Sequence, residues 1–170
     1  MSEQQAAFSP GFVPALRDVE QFVYREARLL DERCFDAWRD LFTEDGVYWA
    51  PTHHDQASPD ERVSLFYDTR ATMAARIARL THPDAHAQLP RSHTAHLVSN
   101  IEIEPQAQSE QEFRVHAVFL MGEYRHTEPR WYSGRYEYTL RRIESKLKIA
   151  RKKVLLVNCE AAFTAMAIYL

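Results

Sequence analysis

Two residues in this chain have the types that proton chemistry needs: Asp31 in "LLDERCFD" and His96 in "SHTAHLVSN". Asp31 follows Leu29 and Leu30, which would take its carboxylate partly out of water, and His96 stands between Ala95 and Leu97. A carboxylate and an imidazole that meet in an apolar cavity can hold a pKa near neutrality and move a proton. The plainer alternative is structural: Asp31 caps its helix or pairs with Arg33, and His96 is an ordinary hydrogen-bonded histidine. Residue types leave both open.

Eight histidines and two cysteines raise metal chemistry next. Ligands have to converge, and spacing argues against it. His53 and His54 are adjacent in a polar stretch, and Pro83 interrupts the helical spacing of His82 and His86. His93 and His96 lie three apart in an alternating segment, so they face opposite ways. No HExxH occurs. A Rieske cluster needs two Cys and two His in paired short spacings, which Cys34 and Cys159 do not provide; both read as small buried apolar residues. No metal ligand is expected in this chain. The four glycines (11, 46, 122, 134) build neither GxGxxG nor a P-loop, so no cofactor-binding residue is expected either.

The basic run Arg151-Lys152-Lys153 sits in a chain with 21 Lys+Arg against 24 Asp+Glu, net −3. A nucleic-acid track would be basic overall, so the run reads as a solvated or interface-facing strand and no nucleic acid is expected. Aromatics and arginines interleave from Arg130 to Arg142. Such composition marks sheet packing or an interface anchor, and Arg130, Trp131, Tyr132, Arg135, Tyr136, Arg141 and Arg142 are the interface candidates.

The elements that must position these groups follow from periodicity. Leu16, Val19, Val23, Ala27 and Leu30 repeat at helical steps, widened by Phe22, with Glu20, Arg25, Glu26 and Arg28 largely off the stripe. Phe35 to Phe42 predicts a second helix. Thr43-Glu44-Asp45-Gly46 predicts a turn in which the glycine supplies a positive φ. Val47 to Ala50 and Val63 to Tyr67 read as strands around a polar loop, and Asp68 as the N-cap of a third helix carrying Met73, Ile77 and Leu80. Beyond Pro90 the period becomes two. Ala95, Leu97, Ile101 and Ile103 form one set, and Phe113, Val115, Ala117, Phe119 and Met121 another. Trp131 to Leu140 and Leu147 to Val157 complete the strands, with connections at Glu104-Pro105, Arg125 to Arg130 and Glu144-Ser145. The apolar segment from Ala161 to Leu170 is expected to dock. Three helices in the N-terminal half followed by a meander make an α+β domain. If strongly curved, such an antiparallel sheet wraps the helices around a conical cavity.

With 45% hydrophobic and 12% aromatic residues, the 170-residue chain can build a core unaided. Residues 1–12 are expected to be a flexible lead-in and 13–170 a single domain. No apolar run of about 18 residues occurs, so no membrane span is expected. The N-terminus has no basic-then-apolar leader pattern, and cysteines are few; the cytoplasm is the expected compartment.

Four segments in order resemble the β (small) subunit of aromatic-ring-hydroxylating dioxygenases. They are "YREARLLDERCFDAWRDLFTEDGVYWAP" (Tyr24 to Pro51), "YDTRATMAARIARL" (Tyr67 to Leu80), "RSHTAHLVSNIEI" (Arg91 to Ile103) and "YTLRRIESKLKIARKKVLLVN" (Tyr138 to Asn158). The resemblance implies a cone-shaped, nuclear-transport-factor-2-like fold and a structural, non-catalytic role. It also implies assembly with a catalytic α subunit and other copies of the chain, as a trimer within an α3β3 hexamer. The Rieske [2Fe-2S] cluster and mononuclear Fe(II) would belong to the α subunit, which uses NAD(P)H-derived electrons and O2 to dihydroxylate an aromatic ring. Asp31 and His96 also resemble the acid–base positions of scytalone dehydratase, which shares the cone fold. This implies an alternative as a stand-alone dehydratase or isomerase, although fold kinship alone grants no activity.

Overall fold

The computed structural model describes residues 14–82, 88–104, 111–163 and 166–170. The 1–12 lead-in and His86 lie outside them. Helices α1 (Leu16–Asp31), α2 (Phe35–Arg39) and α3 (Arg70–Thr81) accompany strands β1 (Phe42–Pro51), β2 (Ser64–Thr69), β3 (His93–Ile103), β4 (Glu112–Arg125), β5 (Glu128–Ile143) and β6 (Lys146–Leu156). The strands form one curved sheet in the order β2-β1-β6-β5-β4-β3. All its pairings are antiparallel except β1–β6, which is parallel and which local periodicity does not reveal.

Side-chain alternation makes the two sheet faces chemically different. Phe113, Val115, Ala117, Phe119 and Met121 of β4 point inward, as do Tyr132, Tyr136, Tyr138 and Leu140 of β5. Val19, Val23 and Leu30 of α1 and Met73, Ile77 and Leu80 of α3 close on that face. Each such large side chain contributes roughly 1.5–3 kcal/mol when fully buried. Trp38 anchors one end, with its ring 4.4 Å from Tyr169 and 5.1 Å from Phe42. Ile168, Tyr169 and Leu170 are buried, so the end of the C-terminal segment docks, while Ala161 and Ala162 are exposed.

Several local expectations change. The second helix stops at Arg39, because the Leu41 carbonyl accepts from Ile149 N–H at 2.8 Å and joins the sheet. Residues 43–46 are bulged strand rather than a turn. Gly46 has no positive φ; it is required because a Cβ would lie 2.9 Å from Ile149 O, Thr43 O and Phe42 Cβ. The α3 cap is Thr69, whose side chain accepts from Thr72 N–H. Asp68 is occupied elsewhere, bound by Arg76 Nε (2.6 Å) and Nη2 (3.0 Å) and by the Tyr169 hydroxyl (2.8 Å). In β3 the register shifts between Ser99 and Glu102, with Asn100 at φ 53°. That bulge reverses the strand's faces. Ala95 and Leu97 point outward and Ile101 inward, although they share odd-numbered alternation.

Candidate functional site

Asp31 ends α1 beside the edge strand β3, and the two predicted acid–base residues meet there. His96 Nδ1 lies 2.6 Å from Asp31 Oδ1, the His96 N–H donates to Oδ2 at 3.0 Å, and the Thr94 hydroxyl donates to Oδ1 at 2.8 Å. Burial works against the Asp31 charge. The hydrogen bonds from the His96 ring and backbone, the His96 charge and Thr94 outweigh it, and the carboxyl stays below its ordinary range. Arg33 is not the partner of Asp31; it reaches Gln88 Oε1 at 2.8 Å. The His96 side chain is 1% exposed. Among the described residues, its Nε2 and the Tyr136 hydroxyl are the buried side-chain polar atoms without a hydrogen-bond partner.

A second carboxylate of the same helix was not anticipated. Glu26 is 1% exposed and Lys152, the middle residue of the basic run, is fully buried. Lys152 Nζ donates to Glu26 Oε1 at 2.7 Å and Oε2 at 3.0 Å, and to the Leu170 carbonyl at 3.0 Å. Trp38 Nε1 and the Tyr138 hydroxyl donate to the two Glu26 oxygens at 2.8 and 3.0 Å. Burial pushes the Lys152 ammonium pKa down despite Glu26, while the hydroxyls of Tyr136 and Tyr138 are pushed well up by burial and the Glu26 charge. The sequence does carry a signal: Glu26 falls on the 4-3-4 spacing of Val19, Val23 and Leu30, where an apolar residue belongs. Arg151 and Lys153 turn to the other face and cover the Trp49 ring at 4.7 and 4.9 Å.

The interface candidates divide by the same alternation. Arg130, Trp131, Arg135 and Arg142 are exposed. Tyr132 and Tyr136 turn inward, so those two serve the interior: Tyr132 donates to Glu123 Oε2 at 3.2 Å and Tyr136 stacks on Phe119 at 4.1 Å. Arg141 is held by Asp45 (2.8 and 3.1 Å) and Glu112 (2.6 Å), and its bonds draw the Asp45 carboxyl down to about 2. Around Trp131, which is 66% exposed, lie Leu97 at 62% and Val118 and Leu120 at 41% each. Strand register makes them neighbours, since Leu97 pairs with Leu120 and Trp131 with Gly122. Toward the other end of this outward face, Arg114, His116, Glu137, Arg151 and Lys153 line a polar groove of about 250 Å³.

Among the described residues, none of the clustered side chains fits the irons of an oxygenase. The described residues bring one group of three metal-capable side chains together, His54, Cys159 and Glu160. It offers one His, one thiol and one carboxylate, neither the paired Cys and His of a Rieske centre nor two His with a carboxylate.

Residues 25–161 match the family model described as "Ring hydroxylating beta subunit". The chain is 38% identical over 141 residues to the small oxygenase component of the p-cumate 2,3-dioxygenase system of Pseudomonas putida, covering 82% of this chain and 77% of that one. It is 35% identical to the small subunit of 2-halobenzoate 1,2-dioxygenase from Burkholderia cepacia, covering 83% and 87%. The solved β subunit of benzoate 1,2-dioxygenase from Burkholderia mallei superposes with a TM-score of 0.73 at 29% identity, covering 86% and 93%.

Proposed function

Because this chain belongs to the ring hydroxylating β-subunit family, we propose that it is the structural, non-catalytic member of a multicomponent oxygenase. Its work is assembly. A catalytic α subunit carries the Rieske cluster and the mononuclear iron, and copies of the present chain hold the complex as an α3β3 hexamer in the cytoplasm. On this reading residues 13–170 act as one domain.

The observation that carries the proposal is the outward face of β3, β4 and β5. Leu97, Val118, Leu120 and Trp131 form an apolar centre in water there, with Arg130 and Arg135 close by in sequence and a charged groove toward the far end. An apolar core with aromatic and Arg anchors and a polar rim is the composition of a protein interface, and permanent complexes bury about 2,000 Å² or more. The relatives named above act on p-cumate and 2-halobenzoate, so aromatic carboxylates are the substrates to try first with the assembled complex.

Co-expression with the α subunit tests this. The expected outcome is a complex that loses β and oxygenase activity together when Trp131→Ser and Leu97→Ser are combined. Full activity of α alone, with no β retained, overturns it.

A second reading is favoured by one observation, the Asp31–His96 contact with His96 Nε2 buried and unpartnered. It makes the isolated chain a dehydratase or isomerase. Asp31 would hold Nδ1–H while Nε2 accepts a proton from a small cyclic ketone or alcohol. Turnover by the chain alone, abolished in a folded His96→Ala variant, would establish it; no turnover across such substrates removes it.

A further inference from the structure

We propose that His54, Cys159 and Glu160 form a binding site for one zinc-class divalent cation, which clips the loop after β1 to the segment after β6. Their ligand atoms already lie within 4.8 Å of one another. Ligands sharing a tetrahedral zinc, with bonds of about 2.3 Å to sulfur and 2.0 Å to nitrogen, stand roughly 3.5 Å apart, so side-chain adjustments of about an ångström close the site.

The surroundings are those of a prepared site. His54 Nε2 lies 3.2 Å from the Val157 carbonyl oxygen. That contact holds the ring against the chain after β6, the kind of outer contact that orients a metal-bound histidine. Glu160 is oriented by the same residue, its Oε1 accepting the His54 backbone N–H at 3.3 Å. Cys159 is buried while His54 and Glu160 are exposed, so the sulfur supplies a dry wall and the other two ligands an open side. One thiolate, one imidazole and one carboxylate match the mixed, borderline-soft preference of zinc and leave a fourth position for water. On binding, the thiol proton passes to solvent and the metal–sulfur bond takes its place; no electron moves. Sequence spacing could not show this, because β1 and β6 are neighbours only through the parallel pairing.

The test uses the full chain as it purifies, stripped with a chelator and titrated first with Zn²⁺ and then with Co²⁺. One equivalent is expected to bind per chain. The cobalt form is expected to show a near-ultraviolet thiolate-to-metal band, and zinc a raised melting temperature, as any ligand of the folded state gives. Cys159→Ser should remove the band. His54→Gln and Glu160→Gln, both at exposed positions where folding is not at stake, should each weaken zinc binding at least about tenfold, the lower bound already seen for outer-contact changes. Cys34→Ser, altering the other cysteine, should change nothing. No saturable binding, a band that survives Cys159→Ser, or binding indifferent to His54→Gln and Glu160→Gln would each overturn the proposal. None of these readouts depends on oxygenase activity, so the result stands apart from the assembly role.

Discussion

Helix α1 delivers two carboxylates to the interior, at Glu26 and Asp31, and they end in opposite conditions. Glu26 is closed on every side, with both oxygens bonded by Lys152 and one each by Trp38 and Tyr138. Lys152 spends its remaining reach on the Leu170 carbonyl. Asp31 accepts three hydrogen bonds, yet its partner His96 presents a buried Nε2 with nothing to bind. A buried charge pair tolerates removal from water only when its hydrogen-bonding capacity is filled. The Glu26 cluster meets that condition and is architecture. The Asp31 pair keeps one ring nitrogen without a partner, and that is one difference from the closed cluster. Saturation and burial both separate the two, the Asp31 side chain being 24% exposed and that of Glu26 1%.

The largest effect should come from breaking the closed cluster. Glu26→Ala leaves the Lys152 ammonium buried without its counter-charge and should cost about 3–5 kcal/mol, a fall in melting temperature on the order of ten degrees for a chain this size. Combining Glu26→Leu with Lys152→Met removes the buried charge and should recover part of that loss in the same thermal melt, the remainder reflecting Trp38 Nε1 and the Tyr138 hydroxyl left without their acceptor. A double variant no more stable than Glu26→Ala would mean that the cluster does more than fill space.

Tyr138→Phe comes next. It removes a hydroxyl that donates to the Glu26 carboxylate and should cost roughly 1.5–3 kcal/mol in urea unfolding.

Asp31→Asn should cost less, about 1 kcal/mol near neutrality, because the site is part-exposed and solvent screens it. Its signature is the pH dependence. The folded carboxyl lies below the unfolded value of 3.8, so its contribution is fully present above that value and is lost as pH falls through the folded pKa. Midpoints measured down the acid range should fall for the parent chain relative to Asp31→Asn. Parallel curves would show that His96 does not hold the charge.

The smallest change is expected for Tyr136→Phe. Its hydroxyl has no partner, so deletion should be neutral or slightly stabilising. A loss as large as that of Tyr138→Phe would show that water or a ligand satisfies the hydroxyl in solution.

Much of the fold was legible, and the exceptions share a cause. The α1 and α3 stripes and the alternation of β4 and β5 follow from residues a few places apart, and the structure keeps them. The Asn100 bulge hides behind the odd-numbered set Ala95, Leu97, Ile101 and Ile103, marked only by Val98-Ser99, where apolar and polar exchange places, and one inserted residue moves half of the set to the other face. Asp68 passed for a helix cap because Asp is a common cap; Arg76 and Tyr169 had already claimed it. Asp31 and His96 were legible as a pair through the resemblance of their motifs. Glu26 and Lys152 were not, since one read as the polar side of a helix and the other as part of a solvated run.

The order of residues by itself determined α1 and α3, the alternation of β4 and β5, the family and the residue types available for chemistry, because each depends on near neighbours along the chain or on motifs taken in order. Tertiary structure alone decided which sheet face is wet, that β1 lies parallel to β6, which carboxylate is closed and which left open, and that His54 lies near Cys159. Those outcomes depend on register between distant strands, where a shift of one residue exchanges inside for outside.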